Sequence, residues 1–300
     1  FSTAFTVHPY HHPIIGWKED IESVTVDKLK IFYDQFYWPN NAVISIIGGF
    51  DKNSTLAAIE TYFGSIPKSP KTIPALSIEE PKQEETRMVK VYRSGKVGAV
   101  LIAYKTPKGT HTDWAPLLLL AEIMGADKIG RLYKSLEDPG LATASYIYPR
   151  QLKDPGLLFT GATLTANTSH EQIQDILLKT IAAISNEGIT DSELNRAKTN
   201  FKTNLIYAKD GSFNIANALN DAIALGDWEY YLKISDQIES VSKEDIQRVA
   251  KTYLNSKNQT IGWYIPKEDP GNLNGVASLN TNNLVNNLAK PYYFNETFSK

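Results

Sequence analysis

Apolar residues recur at helical spacing twice in this chain, and each time a short apolar run follows. Val26, Leu29, Phe32, Tyr33 and Phe36 share one face of a predicted helix. Thr25 is its N-cap, Asp27 sits at the positive end of the dipole, and Pro39 ends it. Residues 42–47 then read as a buried strand that stops at Gly48-Gly49. Far downstream, Ser242 caps a second helix with Ile246, Val249, Ala250 and Tyr253 on its stripe, and residues 260–265 form the strand. The likeness extends to identity. Residues 21–48 align without a gap onto residues 238–265, at an offset of 238 − 21 = 217. Ile21-Glu22-Ser23-Val24 returns as Ile238-Glu239-Ser240-Val241, and Asn41 and Ile44 recur as Asn258 and Ile261. A repeat of this kind sets the frame for the fold. With a unit of about 220 residues, the chain reads as the late part of one unit followed by one whole copy, the beginning of the first unit lying outside it.

Between the two copies the pattern changes several times. Asp51 caps a short helix over residues 52–63, stopped by Gly64. Pro67, Pro70, Pro74 and Pro81 then mark a semi-extended connection. Residues 87–93 and 97–105 alternate around Ser94-Gly95 and predict a hairpin. Residues 113–124 predict a helix that tolerates Pro116 in its first turn, and residues 129–136 a second helical stretch. Two strands, 141–148 and 157–165, flank the turn Asp154-Pro155-Gly156. Ser169 with Gln172 and Thr190 with Glu193 read as capping boxes opening the helices that run to about residue 254. Strands and helices are grouped rather than alternating, which favours an α+β fold of tandem homologous domains, each a mostly antiparallel sheet with helices on one face. The expected organisation is residues 1–66 as the end of a first domain, 67–85 as a Pro-rich linker, 86–266 as the second domain, and 267–300 as an Asn-rich linker.

Composition narrows the classes. Three hundred residues fit about two domains, and 42% hydrophobic residues supply ordinary cores. A formal net charge of −2 makes no electrostatic case for nucleic acid. The apolar run 117–120 is far too short to span a bilayer, so a soluble protein is expected, periplasmic or cytoplasmic. With no cysteine, disulfides, Cys-ligated zinc and thiol catalysis are excluded together.

The candidate chemistry is sparse. His8-Pro9-Tyr10-His11-His12 has the frame of the inverted zinc motif His-x-x-Glu-His, with histidine where the catalytic carboxylate belongs. Pro9 and Pro13 disfavour the helix that would put two imidazoles on one face, so a packed or hydrogen-bonded loop is expected. His111 and His170 stand alone. Gly125 to Gly130 has a phosphate-loop outline but continues as Arg131-Leu132 instead of Lys-Ser/Thr, and reads as a helix connection. There is no Gly-x-Ser-x-Gly elbow, and Glu137-Asp138 reads as a solvated helix end. No catalytic residue and no metal ligand is assigned.

One family resemblance rests on these residues. His8-Pro9-Tyr10 with Pro13 and Gly16, then Thr25-Val26-Asp27 with Leu29 and Phe32-Tyr33, then Trp38-Pro39-Asn40-Asn41 before Gly48, resemble the pitrilysin/insulinase family of zinc metallopeptidases. Gly130-Arg131-Leu132-Tyr133 and Gly140-Leu141-Ala142 resemble the middle of that family's second domain. The resemblance implies a LuxS/processing-peptidase-like fold whose halves pair around a chamber that degrades peptides or unfolded segments. It also implies that zinc is held upstream of His8, by residues that match no position here. Substrate-gripping halves carry an Arg and a Tyr where this chain has Glu137 and Thr143. The implied role is therefore chamber wall and support in a zinc endopeptidase, without activity of its own. Its implied partners are the rest of its first domain, a second homologous half and a peptide substrate. The alternative is a non-catalytic interaction subunit like those of processing and respiratory complexes.

Overall fold

Several helix starts in this protein are set by short polar side chains that accept backbone N–H groups. Thr25 accepts from Lys28 N, Asp51 from Ser54 N and Ser169 from Gln172 N, opening α2 (Val26–Phe36), α3 (Lys52–Phe63) and α5 (His170–Glu187). Of the two capping boxes expected from sequence, only Thr190–Glu193 closes on both sides, ahead of α6 (Asp191–Tyr207). A second box, Ser242–Asp245, opens α9 (Lys243–Tyr253). The computed structural model describes residues 1–75 and 78–267; the Asn-rich segment expected from sequence lies almost wholly outside these. Among the described residues the remaining helices are α1 (Lys18–Ser23), α4 (Trp114–Gly125), α7 (Ser212–Leu225) and α8 (Tyr230–Ser240). The helical stretch expected over 129–136 is a single π-helical segment, Tyr133–Glu137.

Five strands form one sheet: β1 (Arg87–Ser94), β2 (Ala99–Lys105), β3 (Ala142–Arg150), β4 (Leu157–Leu164) and β5 (Gln259–Lys267), in the order β1-β5-β2-β4-β3. Three ladders are antiparallel, and only β1 with β5 is parallel. The expected β3–β4 hairpin forms, with a register irregularity between Ala142 and Ala144. The expected β1–β2 hairpin does not. β5 lies between those strands, pairing Arg87 with Thr260 on one side and Ala99 with Tyr264 on the other. The connection 95–98 arches over the end of β5: Gly95 N donates to Lys267 O, and a Cβ on Gly95 would lie 2.5 Å from the Tyr264 hydroxyl. Alternation identified both strands but carried no information about a strand arriving 150 residues later.

Alternation does sort the two faces. Val100, Ile102, Tyr104, Leu158, Ala162, Leu164, Ile261 and Trp263 point into the core shared with the helices. α4 contributes Trp114, Leu117, Leu120 and Met124 and is apolar nearly all round, as expected of a helix packed against α6, α9 and β3. On the other face Phe5, Ala103 and Leu157 are buried together, with Phe159 packed against them. This is an α+β unit with its helices on one face of a mostly antiparallel sheet.

The first copy of the repeat behaves differently. α2 forms with its expected cap, yet Leu29 and Phe32 are each 55% exposed. Residues 42–47, expected to be a buried strand, have no ladder partner and form none; Val43 is 63% exposed. A strand needs neighbours to satisfy its backbone groups. The equivalent β5 has two, whereas the described residues offer no second sheet for residues 42–47 to enter.

Gly161 lies in the sheet where a Cβ would meet the Val100 carbonyl at 2.5 Å and the Tyr146 hydroxyl at 2.8 Å. Substituting Ala there is expected to destabilise the chain by about 1–3 kcal/mol, because the backbone on one side cannot yield. Urea unfolding of Gly161→Ala beside the parent checks this.

Candidate functional site

The histidine cluster is a loop, as its prolines dictate. His8 caps the short turn Pro9–His11, its Nδ1 accepting from Tyr10 N at 3.2 Å. His11 Nδ1 donates to Phe5 O at 2.9 Å, and His12 Nδ1 accepts the Trp17 indole N–H at 3.0 Å. The three imidazoles thus each spend a ring nitrogen on a separate partner in their own segment. The other nitrogen of buried His8 faces Asp154 across 3.6 Å. His170 Nε2 is bonded to Tyr264 O, and His111 sits 3.7 Å from Asp113. Among the described residues no group of three or more His, Asp or Glu could hold a metal ion.

Several of the perturbed carboxylates hold segments together, whereas Asp221 is simply pushed up by burial. Burial pushes Asp113 up, but Arg248 at 2.8 Å and the Tyr253 hydroxyl at 2.7 Å outweigh it and hold its pKa below the usual range. Asp113 precedes α4 without capping it; its side chain reaches across to α9. Glu193 is held at about 2, first by the Arg131 guanidinium, which grips both carboxylate oxygens at 2.7 and 2.9 Å. Arg131 follows Gly130 in the phosphate-loop outline, which is here a connection between α4 and the π segment. Glu137, read from sequence as a solvated helix end, accepts from Ser145 N at 2.8 Å and Ser145 Oγ at 2.6 Å and so fixes the start of β3. Thr143 is beside it on β3, exposed.

One cluster escaped sequence reading. Glu80, in the Pro-rich connection, gathers Thr6, Val7, His8 and Lys105 around a carboxylate that is only 7% exposed. Burial raises its pKa, but the amide and ammonium donors prevail and hold it far below the ordinary carboxylate range. A glutamate among Lys, Pro and Glu gave no sign of this in sequence.

An open, largely apolar groove is lined by Val26, Leu29, Lys30, Phe32, Tyr33 and Tyr37 of the first repeat copy. It holds no titratable pair suited to acid–base chemistry.

The family model described as peptidase M16 inactive domain matches residues 23–201. A curated relative, the zinc protease PqqE of Helicobacter pylori, is 27% identical over 269 residues, which is 89% of this chain and 61% of the relative. An uncharacterised zinc protease of Bacillus subtilis, YmxG, is 25% identical over 247 residues, 81% of this chain and 59% of that protein. The chain thus spans about three-fifths of these curated relatives. Among solved structures, a protease from Helicobacter pylori superposes with a TM-score of 0.85 at 27% identity, covering 88% of this chain and 65% of that one. No helix of the described residues is long and apolar enough to cross a membrane.

Two outcomes are expected. The 300-residue chain, measured by elemental analysis after exhaustive dialysis, should hold well under one zinc per chain, and changing His8 and His12 to Ala should not alter that. Stoichiometric zinc lost in the double variant would make the cluster a metal site. Second, Glu193 has a lowered folded pKa, so its contribution is complete above the ordinary carboxylate value and fades as pH falls toward about 2. Arg131→Met should therefore cost about 1–2 kcal/mol near pH 7 and clearly less near pH 2, where only its bond to the Gly188 carbonyl is still fully present to lose, read from urea midpoints at both pH values.

Proposed function

The chain belongs to the peptidase M16 family, and from that premise we propose that it is the non-catalytic part of a zinc-dependent endopeptidase acting on peptides or unfolded segments. In this reading residues 86–266 are a complete inactive unit and residues 1–66 are the last part of a catalytic-type unit, with residues 67–85 linking them. The zinc ligands and the general base belong to the upstream part of the catalytic-type unit. This chain supplies chamber wall and bracing, and the whole protein works against a second homologous half, in the same chain beyond residues 267–300 or as a separate one.

The observation that carries the proposal is the contrast between the two repeat copies. Ile246, Val249 and Ala250 of α9 are buried on α4 and α5. Their equivalents Leu29, Phe32 and Tyr33, 217 positions earlier, lie open to solvent. Burying a side chain of that size is worth about 1.5–3 kcal/mol, so an exposed face of three or more is a substantial unmet gain. The repeat also states what is required to meet it: a helix pair like α4 and α5, and a strand pair like β1 and β2 for residues 42–47 to enter. The engaged Glu137 supports a bracing role, since its carboxylate is committed to Ser145.

A second reading is a non-catalytic interaction subunit; the likeness to mitochondrial-processing peptidase subunit beta of Lentinula edodes, 25% identical over 290 residues, supports a half that works as a separate subunit and leaves its activity open to test. The natural full-length product separates the two. Stoichiometric zinc and chelator-sensitive cleavage of an unfolded peptide, absent from the 33.5 kDa chain alone, are expected of the peptidase. A full-length product with neither would establish the interaction subunit in its place. Its intact mass tests the arrangement of halves: about three times that of this chain means both in one polypeptide, about one and a half times means a separate partner.

A further inference from the structure

The His-Pro-Tyr segment, which supplies no metal site, meets the Pro-rich connection at a single carboxylate. Glu80 accepts from three consecutive backbone N–H groups: Thr6 at 2.9 and 3.1 Å, Val7 at 2.9 Å and His8 at 3.0 Å. The Thr6 hydroxyl adds a bond at 3.0 Å and Lys105 Nζ one at 2.9 Å. Arg87 Nη1 stands 3.8 Å away and itself donates to the carbonyls of Thr3 and Ala4. Successive amides converging on an anion form a concave nest, and bonds to an ionised acceptor are the strong kind. Arg87 and Lys105 come from β1 and β2, so the knot ties residues 3–8 and the connection to the sheet of the second unit.

Neighbouring contacts point the same way. Phe5 is buried against Ala103 and Leu157 on the helix-free face, and the Lys105 ammonium lies 5.3 Å from its ring centre. The Tyr10 hydroxyl accepts from Asp154 N at 3.3 Å. α1, α2 and α3 therefore lie on one long excursion whose two ends are pinned at the same spot, by bonds between residues 72 to 74 positions apart in sequence.

We infer that Glu80 is a clasp that closes the base of this excursion and couples the end of the first unit rigidly to the sheet of the second. Any bending between the units is then confined to the excursion side of Glu80. Closing a loop this long has an entropic cost that several charged hydrogen bonds are suited to offset. The inference does not depend on whether the whole protein cleaves peptides.

Hydrogen exchange on the 300-residue chain tests it. Glu80→Gln keeps the size of the side chain but replaces one acceptor oxygen with an NH2 group facing amide donors. It is expected to speed exchange of the peptide covering residues 6–8 by about ten- to a hundredfold and to leave α4, α5 and α9 protected. Protection of residues 6–8 equal to the parent's would overturn the clasp. If Glu80→Gln also unprotects α4, α5 and α9, Lys105→Met decides, because Met keeps the apolar stem beside Phe5 and removes only the ammonium. Faster exchange confined to residues 6–8 in that variant supports the clasp, and unchanged or general exchange rejects it.

Discussion

The placement of β5 governs the molecule. It is the last strand of its unit in sequence and the one between β1 and β2 in space, so the sheet is divided until it arrives. Its inward residues Ile261 and Trp263 complete a core already supplied by α4, α5 and α9, and its backbone satisfies both flanking strands at once. β1 depends wholly on it, having no other ladder partner. The same constraint explains the first repeat copy. Residues 42–47 have the sequence of an inserted strand and, among the described residues, no pair of strands to insert between, so they remain irregular, and the α2 stripe that should pack beside them stays exposed.

What could be read from the sequence follows the range of the forces involved. Caps act within three or four residues, and Thr25, Asp51, Ser169, Thr190 and Ser242 all mark helix starts that form. The β3–β4 hairpin is local and was legible from Asp154-Pro155-Gly156. The β1–β2 pairing was misread because nothing near Ser94-Gly95 records that residue 260 will lie beside residue 87. Residues 42–47 were misread for the opposite reason: their apolar run is genuine, but burial belongs to the surroundings and not to the run. The histidine cluster was legible as a loop from Pro9 and Pro13. Glu80 was hidden because its partners are backbone amides 72 to 74 positions away, which leave no mark on side-chain chemistry.

The charged groups divide the work of holding this architecture. Asp113 joins the start of α4 to α9, Glu193 joins α6 to the connection after α4, and Glu80 joins the leading segment to the sheet. Each is a carboxylate whose ionised form is favoured by donors fixed in place, and each sits between elements distant in sequence. Strongly shifted carboxylates often mark catalysis, but structural ion-pair networks produce the same signature. Here each of the three carboxylates is bonded to donors from a second element, the pattern of a structural network.

The order of strands also has a meaning in time. During synthesis β1 is complete long before β5 exists; from Arg87 to Gln259 is 259 − 87 = 172 residues. At about 5–20 residues per second, the ribosome needs roughly 10–35 s to make that stretch. Through that interval β1 has no partner at all and β2 presents an unpaired edge beside apolar residues that will become core. Unpaired edges are templates for foreign strands, so the interval before β5 arrives is the one in which this sheet is most open to wrong pairing.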